Sequence, residues 1–398
     1  MRRLAGVLLV LSPLMAIGPP AQATPARQPV KVTWAPATSA IPGQYIVRFK
    51  PGARTSDVTL PAGVHPLYVY QKVVDGFAAR LTPAQLSELR ARPAVSAIEE
   101  DAIATALDPP VRQAGTVRRV PPTAPTTSWG LDRIDQRRLP LNRTFTVAHT
   151  GAGVTAYIID TGLDRSNSEF TGRVVTGYSS VGDGNGTSDC VGHGTMVAGI
   201  VGGTTWGVAR GVKISPVRVL GCDGTGAYSG IIAGFDWVAR NAVKPAVANA
   251  SLGGPRSDAA NAAAGALADA GVSVSVAAGN NSGDACNISP ASAPKVLTVG
   301  ASTSGDTLAS YSNIGSCVDV IAPGSDIVSA KRGGGSTSGS GTSFASPFAT
   351  GVNALFKQAY GDYKSAAVLQ WIVDSATPSV LTRVPSTTKN RLLYTAGL

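Results

Sequence analysis

Between residues 44 and 107, hydrophobic and polar residues alternate at short range. Within this region, the sequence Thr82-Pro83-Ala84-Gln85 predicts the start of a helix that continues to Arg92. Thr82 is the expected N-cap, Pro83 suits the first turn and Gln85 closes a capping box. The pattern predicts a small α+β unit over residues 44–107. Its predicted strands are Gln44–Phe49, Val73–Leu81 and Val95–Asp101.

From Trp129 onward, continuous runs of apolar and β-branched residues alternate with stretches of helical periodicity. Such runs are typical of strands buried on both faces, so we predict an α/β fold with a doubly wound, mostly parallel sheet over residues 128–398. The predicted strands are Val154–Ile159, Val212–Leu220, Ala246–Leu252, Val272–Ala277, Val296–Val299 and Val318–Ile321. The predicted helices are His193–Val201, Ser229–Val243, Ser257–Ala270 and Thr342–Tyr360.

The segments outside these two units differ in composition. Residues 1–23 combine two arginines, an apolar run and the sequence Ala21-Gln22-Ala23. They predict a cleaved signal peptide, hence a secreted, extracellular protein with no membrane anchor after cleavage. Residues 24–43 are rich in Pro, Ala and Thr and predict a flexible lead. Residues 108–127 predict an exposed linker and processing region.

Charge and cysteine content narrow the functional classes. The net charge of +10 is spread along the chain, without basic runs longer than two residues and without interleaved aromatic residues, which argues against nucleic acid as a partner. We expect a monomer. The four cysteines all follow residue 189, and in a secreted chain an even number predicts disulfides, with three possible pairings. Because no Cys-x-x-Cys pair exists, we do not expect a zinc site.

Three short motifs carry candidate chemistry. Asp160 ends the first predicted strand of the α/β unit, at the edge of the sheet where sites form in such folds. His193 lies between two glycines at a helix start, and Ser343 opens the last predicted helix, where free N–H groups suit an oxyanion. Taken singly, a turn Asp, an exposed helix-start His and an N-cap Ser explain these residues as well. Together they supply a nucleophile, a base and an orienting carboxylate.

These motifs, in this order, resemble those of the subtilisin-like serine peptidases. The resemblance rests on Asp160-Thr161-Gly162, Gly192-His193-Gly194-Thr195 and Gly341-Thr342-Ser343-Phe344-Ala345-Ser346-Pro347, and the stretches 129–136, 151–157 and 250–254 are similar to the proteinase K-like branch. It implies a serine endopeptidase that acts on polypeptides and needs no cofactor for its chemistry. A lipase or esterase is disfavoured because the serine motif is not G-x-S-x-G. A non-catalytic binding module would have lost one of the motif residues.

The resemblance also implies roles for further residues. Asn280 would be the side-chain donor of the oxyanion hole. Residues 44–107 would be an inhibitory prodomain that the peptidase itself cuts off, so that the protein is made as a zymogen; an unrelated small secreted domain is the alternative. The implied substrate-binding residues are Gly224, Thr225 and Gly226 as an extended edge, and Ser251, Leu252, Gly253, Ala277, Ala278 and Gly279 as walls of a P1 pocket for bulky apolar side chains.

Two structural features complete what the resemblance implies. The disulfides would be Cys190–Cys222 and Cys286–Cys317. Structural calcium would bind the carbonyls of Pro294 and Val296 and the carboxylate of Asp319, with a hydrogen-bonded or salt-bridged Asp319 as the alternative. Asn167, Met196 and Phe348 stand where the family often has histidine, so the local packing and the pH response do not follow from the resemblance.

Overall fold

A computed structural model describes residues 28–107 and 128–398 of the chain. The predicted signal peptide, the predicted linker and residues 24–27 of the expected lead lie outside these described residues. The described part forms two domains joined by two strand pairings, and both domains contribute to the site.

The N-terminal domain is a mostly antiparallel sheet with one helix packed on it. Its elements are β1 (Val32–Thr33), β2 (Ala40–Phe49), a 3-10 turn (Thr55–Asp57), β3 (Pro66–Tyr70), β4 (Gly76–Arg80), α1 (Pro83–Ala91) and β5 (Val95–Ala106). The capping box predicted at the start of α1 is present, since Thr82 Oγ1 accepts from Gln85 N at 3.3 Å and Gln85 Oε1 accepts from Thr82 N at 2.9 Å. Val47, Phe77, Leu89 and Ile98 form its core.

Two boundaries of this domain differ from the prediction. Residues 28–43 were expected as a flexible lead, but they form β1 and the start of β2, and the ring of Trp34 meets that of Tyr45 edge-on at 6.2 Å. β5 continues past Asp101 to Ala106 instead of ending at the acidic residues. Two of these acids, Glu99 and Asp101, also accept hydrogen bonds from Ser257 and Ser229 of the second domain, contacts that local alternation does not reveal.

The second domain contains six α-helices and fourteen strands in its described residues. The helices are α2 (Trp129–Ile134), α3 (His193–Gly202), α4 (Tyr228–Asn241), α5 (Asp258–Asp269), α6 (Thr342–Tyr360) and α7 (Ser365–Ser375), with 3-10 turns at Ser168–Phe170 and Ala285–Asn287. The strands are β6 (Thr155–Asp160), β7 (Tyr178–Ser179), β8 (Lys213–Arg218), β9 (Thr225–Ala227), β10 (Ala246–Ala250), β11 (Leu252–Pro255), β12 (Ser273–Ala277), β13 (Ile288–Ser289), β14 (Leu297–Ser302), β15 (Val320–Pro323), β16 (Ile327–Ala330), β17 (Ser336–Gly339), β18 (Thr377–Pro378) and β19 (Arg391–Leu392).

Nine strands form the central sheet in the order β18-β19-β15-β14-β12-β10-β6-β8-β7, and every pairing except β18–β19 is parallel. Helices cover both faces. Along β6, Ala156 and Ile158 join the core under α3 and α6, whereas Tyr157 and Ile159 join the core under α4 and α5. Burial on both faces explains the continuous apolar runs of the sequence. The predicted doubly wound sheet after a small α+β domain is therefore confirmed.

Two short strands outside the central sheet connect the domains. β9 and β11 both pair with β5 of the N-terminal domain, in antiparallel register, and β13 pairs with the far side of β11. The N-terminal sheet is thus extended by strands of the second domain. Across the described ranges 28–107 and 128–398, no helix combines the length and the apolar character needed to span a membrane.

Candidate active site

The structure brings Asp160 and His193 into direct contact. Asp160 is the last residue of β6 and His193 is the first of α3, so both lie at the carboxyl edge of the sheet. His193 Nδ1 is 2.6 Å from Asp160 Oδ1, which also accepts from the Thr161 N–H at 2.7 Å. Burial raises the pKa of Asp160, while the attraction of His193 and these hydrogen bonds oppose the rise. This pair can orient the imidazole ring and stabilise its protonated form.

A second buried carboxylate, Asp189, organises the segment that leads to His193. Its Oδ1 accepts from Thr161 Oγ1, Val191 N and Gly192 N at 2.8 to 3.0 Å. Its Oδ2 accepts from Thr195 N and Thr195 Oγ1 at 2.8 and 2.6 Å. Asp189 therefore caps the free N–H groups at the start of α3 and ties them to the residue after Asp160. No sequence motif pointed to Asp189.

Ser343 is the second residue of α6, and its side chain is fully buried with the N-terminal domain in place. Its Oγ donates to the carbonyl oxygen of Ser251 at 3.2 Å. The next residue, Phe344, places its ring 5.7 Å from that of His193 and belongs to the core under α6. The apolar stripe of α6 thus fixes the helix whose first turn carries the serine at the same sheet edge as His193.

The Asn280 amide is held in one orientation by the residue before Ser343. Asn280 Oδ1 accepts from both Thr342 N and Thr342 Oγ1, at 2.9 and 2.8 Å. Thr342 Oγ1 in turn accepts from Gly279 N at 3.0 Å. Because two donors occupy Oδ1, the Nδ2 group points the other way, and there it donates to the backbone carbonyl oxygen of Leu107. Leu107 follows the last residue of β5.

The strand that leads to Leu107 lies between two edges of the second domain. On one side Thr105 and Ala104 pair with Thr225 and Gly226, and Ala106 N donates to the carbonyl of Gly224 at 2.9 Å. On the other side Ala106 and Thr105 pair with Leu252 and Gly253. Main-chain pairing on both sides is the way in which a groove holds an extended peptide.

One of the expected walls of the P1 pocket, at Gly253, contacts the Leu107 side chain. A Cβ placed on Gly253 would lie 3.1 Å from Leu107 Cδ1 and 3.0 Å from Ile288, so the leucine packs closely against the glycine backbone. Gly279, with φ of 108°, follows Ala277 and Ala278 at the end of β12 and leads into Asn280. Asn313 supports this turn by donating to Ala278 O at 3.0 Å. The Leu107 side chain thus packs against glycine backbone at Gly253, and the other expected wall, residues 277–279, leads directly to Asn280.

Acidic side chains cross the boundary between the domains in both directions. Asp236 of α4 accepts from the N–H groups of Gln71, Lys72 and Val73 at 2.7 to 3.2 Å, and its other oxygen accepts from Arg240 at 2.8 Å. In the reverse direction, Asp101 and Glu99 of β5 reach the second domain. Asp101 accepts from Ser229 N in the first turn of α4, and Glu99 accepts from the hydroxyl of Ser257, the N-cap of α5. Burial raises the pKa of Asp101.

Two disulfides are present, Cys190–Cys222 and Cys286–Cys317, and these are the two pairs that the resemblance implies. The first disulfide contacts a buried arginine, Arg218. Arg218 Nη2 lies 3.5 Å from both of its sulfur atoms, and the guanidinium group binds both carboxylate oxygens of Asp183 at 2.6 Å. Arg218 Nε also donates to Thr161 O at 3.1 Å. The disulfide is therefore linked to the segment that begins at Asp160.

The residues implied for calcium contain only one carboxylate, and that carboxylate has protein partners. Asp319 Oδ1 forms an ion pair with Lys389 Nζ at 3.0 Å, and Oδ2 accepts from Thr298 N at 3.1 Å. No group of three or more metal-binding side chains occurs in the described parts of the chain. Oxygen donors such as the Pro294 and Val296 carbonyls suit calcium, but a cation at Asp319 would meet the Lys389 ammonium group. The observed contacts of Asp319 therefore correspond to the alternative, a salt-bridged and hydrogen-bonded aspartate.

The three residues that stand where the family often has histidine are all buried. Asn167 caps the 3-10 turn that follows it by accepting from Glu169 N at 3.0 Å, and it donates to Lys331 O at 2.8 Å. Met196 and Phe348 are buried in the core between the sheet and the helices α3 and α6. A Cβ on Gly130 would approach Phe348 to 2.5 Å, so the ring fills the space beside that glycine.

Comparisons with known proteins agree with this architecture. Residues 151–395 match the subtilase family, and residues 44–106 match the peptidase inhibitor I9 family. The chain belongs to the subtilase family, and it is a subtilisin-like serine peptidase preceded by an I9 inhibitory domain; the Asp-His-Ser triad is characteristic of this family. The inferred resemblance is therefore confirmed, including the prodomain, which acts as an intramolecular inhibitor, and polypeptides as substrates. The family needs no cofactor for catalysis.

Individual relatives are similar over most of their length. The chain is 42% identical to the extracellular serine proteinase of Thermus sp. (strain Rt41A), covering 98% of this chain and 97% of the relative. It is 40% identical to the cuticle-degrading protease of Metarhizium anisopliae, covering 96% and 99%. Among solved structures, a cold adapted subtilisin-like serine proteinase matches with a TM-score of 0.67 at 48% identity, covering 68% of this chain and 99% of that one.

Proposed function

We propose that Ser343 is the nucleophile, His193 the general base, Asp160 the carboxylate that orients His193, and Asn280 the side-chain donor of the oxyanion hole. The observation that supports this assignment most directly is the position of Leu107. Its carbonyl oxygen accepts from Asn280, and the strand before it is paired on both sides. A peptide carbonyl is thus held where the proposed donor for an oxyanion points.

The chemistry of these residues follows from their contacts. Ser343 Oγ attacks the carbonyl carbon, and its proton passes to His193, whose Nδ1 is hydrogen-bonded to Asp160. Negative charge develops on the carbonyl oxygen, where Asn280 Nδ2 and the Ser343 N–H donate to it. His193 gives the proton to the departing amine, which leaves an acyl group on Ser343. Water then repeats the sequence and releases the acyl group as a carboxylic acid.

The first substrate in this proposal is the chain itself. The bond between Leu107 and Asp108 follows the carbonyl that Asn280 holds, so its hydrolysis would separate the prodomain from the peptidase. The cut prodomain would stay bound through β9, β11 and the carboxylate contacts of Asp236, Asp101 and Glu99. We therefore propose a secreted, monomeric zymogen that is active once the bound prodomain has been removed. The active domain would begin after residue 107.

The proposed specificity is for bulky apolar side chains before the cut bond. Leu107 occupies the corresponding position in the chain's own cleavage site, against Gly253 and near Ile288. No charged residue occurs in 251–253 or 277–279. Residues 224–226 and 252–253 also pair with the backbone of the bound strand, and such main-chain pairing does not depend on the side chains of the other substrate residues. This combination supports broad cleavage of polypeptides with an apolar P1 residue.

Calcium and the ammonium group of Lys389 would compete for the Asp319 carboxylate. Calcium at Asp319, with the carbonyls of Pro294 and Val296, would have to displace the ammonium group that is 3.0 Å from Oδ1. We therefore propose that this chain responds weakly to calcium.

A labelling experiment tests the proposed nucleophile. Mature enzyme is treated with phenylmethylsulfonyl fluoride, and the modified residue is located by peptide mapping. We expect labelling at Ser343 with complete loss of peptidase activity, and no labelling in Ser343→Ala. Activity that survives full labelling of Ser343 would overturn the assignment.

Digestion of a peptide library tests the proposed P1 pocket. A preference for Arg or Lys at P1 would contradict the proposed specificity for bulky apolar side chains.

A further inference from the structure

A chain of buried hydrogen bonds connects Ser343 to the middle of the central sheet. The Asn249 side-chain amide donates to Ser251 Oγ at 2.8 Å, and Ser251 Oγ donates to the backbone carbonyl oxygen of Ser343 at 2.7 Å. The Ser343 hydroxyl donates back to the carbonyl oxygen of Ser251 at 3.2 Å. All three residues are fully buried. Ser251 therefore contacts both the backbone and the hydroxyl of the serine.

Asn249 is also bonded to the helix that carries Ser343. Its Oδ1 accepts from Ser346 Oγ at 2.8 Å and from Thr350 Oγ1 at 3.1 Å, both on successive turns of α6. One side chain of β10 thus contacts α6 directly and, through Ser251, the backbone of Ser343. Because these polar groups are buried, a shift of α6 along the sheet would leave several of them unpaired, which is costly.

We propose that Asn249 is a positioning residue for the hydrolytic reaction: through Ser251 and α6 it sets the position of Ser343 relative to His193 and Asn280. Reaction rates depend steeply on this position. A distant mutation that misplaces the reacting groups by about 1 Å can lower the rate on the order of a hundredfold. The proposal rests on Ser343 being the nucleophile. Asn249 itself touches neither the substrate nor the reacting atoms.

Asn353 provides a matched control on the same helix. It too is a fully buried asparagine that bridges α6 and the sheet, with Nδ2 donating to Ser275 Oγ on β12 at 3.0 Å. It lies further along α6 from Ser343 than Thr350 does, and its described partner is not in the active site. Asn249→Ala and Asn353→Ala therefore remove the same chemical group from the same interface, and only the first interrupts the connection to Ser343.

The test compares the two variants in mature enzyme. We measure kcat and KM for a peptide with Leu at P1, the rate of inactivation by phenylmethylsulfonyl fluoride, and the melting temperature of the inactivated proteins. For Asn249→Ala we expect kcat and the inactivation rate to fall together by roughly tenfold or more, with KM little changed. For Asn353→Ala we expect a comparable loss of melting temperature with both rates as in the wild type.

Wild-type rates in Asn249→Ala, or equal rate losses in the two variants, would overturn the proposal. Ser346→Ala removes one partner of Asn249 and keeps the rest of the network, so it replaces Asn249→Ala if that variant does not fold. We expect smaller losses of the same two rates in Ser346→Ala, and unchanged rates there would also overturn the proposal. Labelling by the sulfonyl fluoride separates the two proposals. Failure to label Ser343 in the wild type would contradict the assignment of Ser343 as the nucleophile, whereas the positioning role of Asn249 is tested by the rates of the variants.

Discussion

The side-chain amide of Asn280 donates a hydrogen bond to the carbonyl oxygen of Leu107, and this contact joins the peptidase domain to the end of its own prodomain. Thr342 holds the other end of the amide with two donors, so the orientation of Asn280 is fixed by the residue before Ser343. A group that would stabilise an oxyanion is thus in contact with a peptide carbonyl of the same chain.

This contact predicts where the precursor is cut. We expect the wild type to be processed between Leu107 and Asp108, and Ser343→Ala to accumulate as the uncut precursor, because self-cleavage and external proteolysis use the same nucleophile. Intact-mass measurement and N-terminal sequencing of both purified proteins check this. Leu107→Asp is the control, since a charged P1 residue should slow processing while the cut enzyme keeps its activity. Maturation of Ser343→Ala free of other proteases would rule out self-cleavage.

The places of the three candidate residues in the fold could be predicted from the sequence because each belongs to a short motif at the end of a strand or the start of a helix. Asp160, His193 and Ser343 each lie within one residue of an element boundary that periodicity identified, and α6 was predicted with its observed bounds Thr342–Tyr360. Burial of strands such as β6 on both faces gives a strong local signal. The parallel sheet then brings these strand ends together.

Leu107 and Asp236 could not be predicted in the same way because their partners are distant in sequence. β5 was expected to end in the acidic residues at Asp101, and only the pairing with β9 and β11 extends it to Ala106. Asp236 resembles an ordinary surface carboxylate beside Arg240 until the turn at 71–73 is packed against it. Contacts between domains leave no periodic trace along the chain.

Removal of the proposed oxyanion donor, Asn280, should lower the rate of the reaction and leave the binding of substrate nearly unchanged. In Asn280→Ala we expect kcat to fall by about 10²–10³ with KM nearly unchanged, the usual effect of losing one such donor. Thr342→Val should have a smaller effect in the same direction, because it removes only the hydroxyl that helps orient the amide. Steady-state kinetics on a peptide with Leu at P1 measure both. A rise in KM with unchanged kcat would assign Asn280 to substrate binding instead.

Inhibition by the prodomain should weaken as the pH rises. Burial raises the pKa of Asp101 in the complex above that of the free prodomain, so the complex binds a proton more tightly than the separated domains do. Affinity is therefore highest below the ordinary pKa of an aspartate and decreases as the pH rises through the raised value. Binding of isolated residues 28–107 to mature enzyme inactivated at Ser343 is measured by calorimetry between acidic and neutral pH. In Asp101→Asn this dependence should disappear, and an equal dependence in both would contradict the explanation.

Each disulfide should contribute to stability through the loop that it closes. The bridges join residues 32 and 31 positions apart, and the chain-entropy model gives roughly 3–4 kcal/mol for loops of this size. We expect Cys190→Ser/Cys222→Ser and Cys286→Ser/Cys317→Ser both to lower the free energy of unfolding by an amount of this order. Because Cys190 precedes His193 by three residues and Arg218 connects the bridge to Thr161, only the first variant should also lower kcat. A non-reduced peptide map checks the pairing, and equal effects of both variants on kcat would contradict this link.

Calcium should stabilise this enzyme weakly, because Lys389 already neutralises the carboxylate that would bind the ion. The ammonium group is 3.0 Å from Asp319 Oδ1, where a calcium ion would have to lie. Replacing it with a small neutral side chain removes the competing cation and leaves Asp319 and the carbonyls of Pro294 and Val296 in place. We therefore expect Lys389→Ala to melt below the wild type without calcium, and to gain more from millimolar calcium than the wild type does. For a domain of this size the gain is roughly 2–4 °C for each kcal/mol of added binding free energy. Calorimetry of the sulfonylated enzymes with calcium, and with magnesium at the same ionic strength, measures the effect.

Asp319→Ala is the control, since its melting temperature should not change with calcium. A large calcium response in the wild type that Lys389→Ala does not increase would show that the lysine does not compete for this site.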